Sequence, residues 1–261
     1  APSAALRGAL YALGAAVGFA VMVALIRHLT ASLHPFQVAF FRNLFGLAFM
    51  LPWLLGTGWG ALRTRRLGLY LTRGALSLGS MLAWFSGVAL LPLDQAVALS
   101  FTAPLFTTFL AAAYLKEQVP PARWVATAVG FAGALIVIRP SFAGLEPATL
   151  LVLLSAVLTA GAIIVIKSLV ATEPPTTVVA YMTLVLTPLS LPVALPFWQW
   201  PGVEGWAVAV AIGGFASLSH LLFTRALALA DASFIMGFDY ARLPVVAVIA
   251  FFAFGESPDI W

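Results

Sequence analysis

The chain is built almost entirely from apolar stretches of about 20 residues, the length a helix needs to cross roughly 30 Å of hydrocarbon. Proline, glycine and charge punctuate these stretches at roughly 8–29, 36–56, 68–91, 94–115, 122–139, 148–170, 176–198, 204–229 and 232–254. Nine such segments decide the solvent. The 261 residues are 62% apolar and 8% charged, against roughly 25% charged in water-soluble domains. A soluble fold could not cover that much apolar surface. The runs do not alternate as barrel strands do, and inside lipid a spanning segment must pair its own backbone groups. The sequence therefore predicts an all-α integral membrane protein. The first run is long and glycine-rich and ends in Arg27-His28, not in small residues, which favours a span over a cleaved signal peptide.

Composition also narrows the chemistry. Cysteine is absent, and the histidines are His28, His34 and His220, far apart in the chain. No disulfide framework can form, and a metal centre has few ligands to draw on. There is no HExxH and no glycine-rich phosphate loop. No catalytic residues, cofactor or metal are expected.

Charge placement gives topology. Arg7, Arg63, Arg65, Arg66, Lys116, Arg123, Lys167 and Arg225 fall on the side of the N-terminus, and only Arg27 and Arg139 on the other. Arg42, Arg73 and Arg242 lie within spans. Basic loops mark the cytoplasmic side, so the net charge of +4 records orientation and lipid contact, not nucleic-acid binding. The N-terminus is expected in the cytoplasm and the chain in a bacterial inner (plasma) membrane.

The chain repeats itself. Sliding it by 140 residues sets "IRHLTASLHPFQVAFFRNLFGLAFMLP" (26–52) on "IKSLVATEPPTTVVAYMTLVLTPLSLP" (166–192). Ile26, Leu29, Ala31, Pro35, Val38, Leu44 and Pro52 meet identical residues, and Arg27 meets Lys167. "SMLAWFSGVALLPLD" (80–94) meets "SLSHLLFTRALALAD" (217–231), Pro104 meets Pro244, and Glu117 meets Glu256. With five spans per copy, the second enters the membrane from the opposite side, a plan common among secondary transporters. The expected units are 1–140 and 141–261, a ten-helix inverted repeat (5+5) whose tenth helix is missing or incomplete in this chain.

Beyond these patterns, "LPLDQAVALSFTAPLFTTFLAAAYLKEQVPPARW" resembles the fourth-to-fifth helix signature of the EamA family of the drug/metabolite transporter superfamily. "ALADASFIMGFDYARLPVVAVIAFFAFGE" is similar to its second-copy counterpart, and "FFRNLFGL" to the family's second helix with its arginine. The resemblance implies ten helices, both ends cytoplasmic, and a central cavity walled by both halves. Known members move amino acids, nucleotide sugars, other metabolites or drugs, and amino-acid exporters, YddG-like ones among them, form one branch. The chain departs from its own symmetry at Arg42, which faces Met182 in the second copy.

Polar residues inside spans are the candidates for a solute path. Asp239 and Arg242 stand three apart on one helical face and can pair. Charges at mid-membrane cost roughly 2.5–3.5 kcal/mol each, so they mark either a solute contact or proton carrier, or a pair that fixes helix packing. Pro104 and Pro244 each free a carbonyl one turn earlier, those of Ser100 and Tyr240, at a kink or hinge. His220 shares a face with Ser217 and titrates near neutral pH. Ser77, Ser80 and Trp84 share a face of the third span, and Phe101 and Phe238 offer aromatic surface of the kind that lines small-molecule sites. Asp94 and Asp231 precede helix starts and read as caps. Glu117 and Glu256 end helices, where the dipole disfavours acids, and need cationic neighbours or donors from the next helix start. "GAAVG" (14–18) and "GFAG" (130–133) allow close backbone approach.

The expected function is an alternating-access carrier moving a small organic solute, most readily amino acids or related metabolites, outward across the membrane. It would work as a monomer, with lipid and a small-molecule substrate as its partners. The alternatives are a passive channel, a membrane-embedded enzyme with a Ser–His site around His220, or a scaffold with no solute.

Overall fold

The computed structural model describes residues 3–88, 90, 99–138 and 147–254, and every regular element in it is a helix. The order is α1 (Ala4–Thr30), α2 (Pro35–Thr57), α3 (Leu67–Val88), α4 (Ala103–Tyr114), α5 (Pro121–Ile138), α6 (Pro147–Val170), α7 (Pro175–Ala194) and α8 (Val203–Leu229). A ninth span follows in three pieces: α9 (Ala232–Met236), a 3-10 segment (Gly237–Ala241) and α10 (Arg242–Phe254). Among the described residues, six helical spans are long and apolar enough to cross a membrane.

Local chemistry explains the ends. Proline is the first residue of α2, α5, α6 and α7, a position where its missing N–H costs nothing and its φ is already helical. Ser3 Oγ accepts from the Leu6 N–H at 3.2 Å and opens α1. Gly58, at φ +81°, closes α2, a left-handed stop that glycine adopts without Cβ strain. Lys116 closes α4 at φ +55°, and the Glu117 N–H donates back to Ala111 O at 3.2 Å. This turn sends the Glu117 side chain away from its own helix.

The outside is apolar, and the largely apolar interior also holds polar side chains. Buried positions carry Gln37, Asn43, Arg73, Thr107, Ser155, Ser190 and Ser217, while Leu55, Phe109, Val129 and Phe252 lie exposed on the outside. Lipid is as apolar as leucine, so helices associate through small residues and polar contacts. α1 packs along α8 and α3 along α6, and α2 lies against both α7 and α8. The "GAAVG" glycines serve the first contact: Gly18 faces Ser219, and Gly14 faces Leu222. In "GFAG", Gly130 faces the Tyr240 ring, but Gly133 has open space around it.

One expectation is overturned. Asp231 sits just before α9 yet makes no capping hydrogen bond. It pairs with Arg123 at 2.7 Å. The free N–H groups of α9 go instead to Glu117, from another part of the chain. Asp94, Arg139 and Glu256 lie outside the described residues.

Candidate functional site

Hydrogen bonds and ring contacts sort the polar residues of the spans into groups. The first lies where α2 crosses α8. A Cβ on Gly213 would come within 2.4 Å of Phe45 Cβ and 2.8 Å of Gly46 N, so the two backbones nearly touch. Ser217 Oγ donates to Gly46 O at 3.0 Å. One turn on, Arg42 Nη2 lies 2.8 Å from His220 Nε2. A guanidinium only donates, so His220 accepts here and carries its proton on Nδ1. Phe19 of α1 meets the imidazole edge-on at 5.0 Å. Ser217 is thus an interhelical tie, and His220 is the partner of a part-buried arginine.

Next to this crossing lies Arg73, which is 2% exposed. Its Nη1 donates to Val178 O at 2.6 Å and its Nη2 points at Met182 Sδ at 3.2 Å. Met182 is the repeat mate of Arg42, so the arginine of α3 occupies the face of α7 that has lost its own. One turn before Arg73, Tyr70 stacks on Tyr181 with centroids 4.0 Å apart. The Nε atoms of Arg42 and Arg73 and the hydroxyl of Tyr70 are buried without a hydrogen-bond partner.

The second group joins α3 to α6. Ser80 Oγ lies 3.0 Å from Ser155 O, 3.1 Å from Ser155 Oγ and 2.7 Å from Thr159 Oγ1. Trp84 packs with Leu99 against Ala148 and Val152. Ser77 is half-buried on the same helix. Ser80→Ala is expected to lower stability by about 1 kcal/mol, the net worth of a buried hydrogen bond, with no change in solute half-saturation. A melting curve in detergent beside a saturation curve checks both halves of that statement.

The third group is the break in the ninth span. Arg242 Nη2 donates to Asp239 Oδ2 at 3.1 Å, and its guanidinium lies 5.5 Å from the centre of the Phe101 ring. Tyr240 stacks on Phe101 at 5.9 Å and donates its hydroxyl to Phe101 O at 3.2 Å. Residues 101–102 form a turn before α4, so Pro104 falls in the first turn of a renewed helix. Pro244 likewise follows the 3-10 segment. Neither proline clashes with a preceding helical turn, because the helix has already opened ahead of it. Ser100 ends a helical stretch before the first break. Phe238 packs against Phe234.

A charged network closes one end of the bundle. Glu117 accepts from the Ala232 N–H at 2.9 Å, the Ser233 N–H at 3.2 Å and Ser233 Oγ at 2.9 Å. Lys167 Nζ donates to the last carbonyls of α8, Leu227 O at 2.8 Å and Ala230 O at 2.7 Å. Acid at a helix start and cation at a helix end both suit the dipole. Two clefts open at bundle ends, about 250 Å³ beside His28 and Glu204 and about 470 Å³ beside Arg63, Arg65 and Glu173. Among the described residues, no three His, Asp or Glu side chains gather as a metal site would need.

The sequence profile of the EamA-like transporter family matches residues 6–139 and 147–261. The chain belongs to the EamA-like transporter family. Several relatives are close. The S-adenosylmethionine uptake transporter of Rickettsia bellii is 33% identical over 89% of this chain and 80% of its own. The riboflavin transporter of Vibrio cholerae is 35% identical over 97% of this chain and 87% of its own. The pseudopaline exporter of Pseudomonas aeruginosa is 28% identical over 97% and 89%. A solved crystal structure superposes with a TM-score of 0.85 at 19% identity, covering 97% of this chain and 90% of that one. That likeness is one of fold. EamA-like membership makes this an integral membrane protein, and its named relatives are bacterial transporters of small molecules.

Two features escaped the sequence reading, the Arg73 contact with α7 and the Glu117 cap. For Arg73 a signal existed. Of nine acidic residues, only Asp239 lies away from a span end, and Arg242 stands beside it. Arg42 and Arg73 were therefore left without an acid.

Proposed function

We propose that the protein is a secondary carrier that binds a small polar metabolite between two five-span halves of opposite orientation, then opens alternately to each side. The observation that carries this reading is an exchange of helix contacts. The 140-residue correspondence turns α1 into α6 and α3 into α8. It therefore turns the α1–α8 contact into the α6–α3 contact, and these are the two most extensive among the described residues. The α2–α8 and α7–α3 contacts exchange in the same way, and α2–α7 maps onto itself. Two halves joined by such contacts can rock against each other about a shared axis. The double match of the family profile supports the same division.

In this reading a tenth span completes the second half, and the N-terminus faces the cytoplasm from the inner (plasma) membrane. A monomer suffices, and no covalent chemistry takes place. The relatives' names include uptake and export alike, and none names an amino acid as such. Outward movement of amino acids is the narrower form of the proposal.

Purified protein in proteoliposomes, offered a mixed metabolite pool, is expected to give saturable flux. Flux that rises linearly with solute would make it a channel. Vesicles preloaded with labelled amino acids decide the narrower form: no efflux above empty vesicles removes it. Asp239→Asn and His220→Ala are expected to lower the rate about tenfold or more and to alter its pH dependence. Full rate and an unchanged pH profile in both would remove their proposed roles. Loss of folded yield alone would make them packing residues.

A further inference from the structure

We propose that Arg42 and Arg73, with the Tyr70 hydroxyl and His220 beside them, form the binding centre for an oxyanion, a carboxylate or phosphate borne by the transported solute. The proposal rests on the carrier reading and names the solute's chemical class.

Burying a lone guanidinium in a membrane is costly even on the mildest scale, and leucine would insert more readily at both positions. Asp239 is engaged by Arg242 at 3.1 Å. Among the described residues, neither Arg42 nor Arg73 has a carboxylate partner. Among the described residues, two cations are held inside the bundle with no anion of the protein's own.

A guanidinium offers five N–H groups in a fixed fork and accepts nothing. Arg42 spends one contact on His220, and Arg73 makes two on α7. Both Nε–H groups and the Tyr70 hydroxyl remain buried and unpartnered. Each such donor destabilises the fold while it lacks an acceptor. A carboxylate or phosphate supplies acceptors only, in the geometry that a guanidinium fork matches. A cationic solute would meet two positive charges and would leave the same donors unpaired.

Arg42 reaches His220 of the eighth helix, and Arg73 reaches Val178 and Met182 of the seventh. Arg42 and Arg73 come from α2 and α3, while His220, Val178 and Met182 come from α7 and α8. A ligand held there touches both proposed halves, so its arrival and departure can bias their relative tilt. The half-symmetry supports a ligand over a scaffold: both arginines come from one half, so the pair is not a packing device repeated in the fold.

The test reads binding, not flux. Full-length protein in a neutral detergent is melted in the presence of sodium phosphate, succinate or acetate, with sodium chloride at equal ionic strength as reference. A saturable rise in melting temperature with at least one oxyanion is expected. Arg42→Gln and Arg73→Gln should each abolish it, and Arg42→Lys or Arg73→Lys should weaken it about tenfold by losing the fork. Arg65→Gln should leave it intact. No response of the wild type beyond chloride overturns the proposal, whatever the variants do. So does a response that survives both glutamines, or one that only Arg65→Gln removes, which would assign the ion to the basic loop. Should the glutamine variants fail to fold, the lysine pair and the wild-type series decide. Binding without flux in proteoliposomes would sink the carrier reading and keep this one. Saturable flux of neutral solutes with no oxyanion response would do the reverse.

Discussion

Replacing Gly213 by valine is expected to destroy the folded protein, or to lower its melting temperature further than any other single change at a helix crossing. A Cβ there would lie 2.4 Å from Phe45 Cβ, 2.8 Å from Gly46 N and 2.8 Å from Phe45 C. Carbon atoms pack at about 3.5–4.0 Å. Two of the three obstacles are backbone, so no rotamer change relieves them. α2 and α8 must separate, and that separation also stretches Ser217 Oγ from Gly46 O and Arg42 from His220. Overpacking in a close-fitting interior costs about 1–3 kcal/mol, and more when a backbone must move. Gly56→Ala and Gly133→Ala are the matched controls, because a Cβ at either meets nothing within 4 Å. Alanine in a helix is favoured over glycine by about 1 kcal/mol, so both should hold or raise stability. A Gly213→Val protein that melts with the wild type would remove the close α2–α8 crossing, and the Arg42–His220 contact with it.

Glu117→Ala should be the most damaging change outside the membrane interior. The carboxylate accepts three hydrogen bonds from Ala232 and Ser233. Its loss leaves the first N–H groups of the ninth span unpaired. Capping losses run about 0.5–2 kcal/mol, and a charged acceptor with three donors falls at or beyond the upper end. Lys167 and Arg123 would also lose a nearby anion. Glu117→Gln retains one acceptor oxygen and should cost about half as much. Asp231→Asn provides the contrast, since its pair with Arg123 is partly exposed at 48% and 27%, where such pairs contribute about 0–1 kcal/mol. Thermal melts of the three variants rank them. Asp231→Asn proving worse than Glu117→Ala would return the capping role to Asp231.

These two residues mark the boundary of what pattern reading can reach. Gly213 stands in a "GG" pair with no period to distinguish it from Gly214, whose Cβ would meet only the Phe49 ring at 3.1 Å. Which glycine touches backbone depends on how α8 is rotated against α2. Glu117 raised a clear question in the sequence, an acid at the wrong end of a helix. Its answer lies 115 residues away, and the left-handed turn at Lys116 that aims it has no glycine to announce it. The candidate residues fared similarly. Asp239 and Arg242 pair as their spacing predicts, because three residues on a helix fix a distance. Ser80 and Ser217 lie on the faces expected of them, but their hydroxyls tie helices together across contacts 75 and 171 residues long in sequence.

By itself the sequence determined the solvent and most helices and their ends, but not the breaks inside the spans expected at 94–115 and 232–254. Apolar length, proline at helix starts and loop charge act within a few residues, and a bilayer admits few alternatives. The 140-residue correspondence and the family resemblance were equally legible in it. Tertiary structure alone decided which span lies on which, and therefore what each buried polar atom meets. Lipid does not sort helix faces by hydrophobicity as water does, so contacts in this protein follow shape and hydrogen bonding between distant segments. That is why Arg73, one charge in a greasy run, acquires its meaning only beside α7.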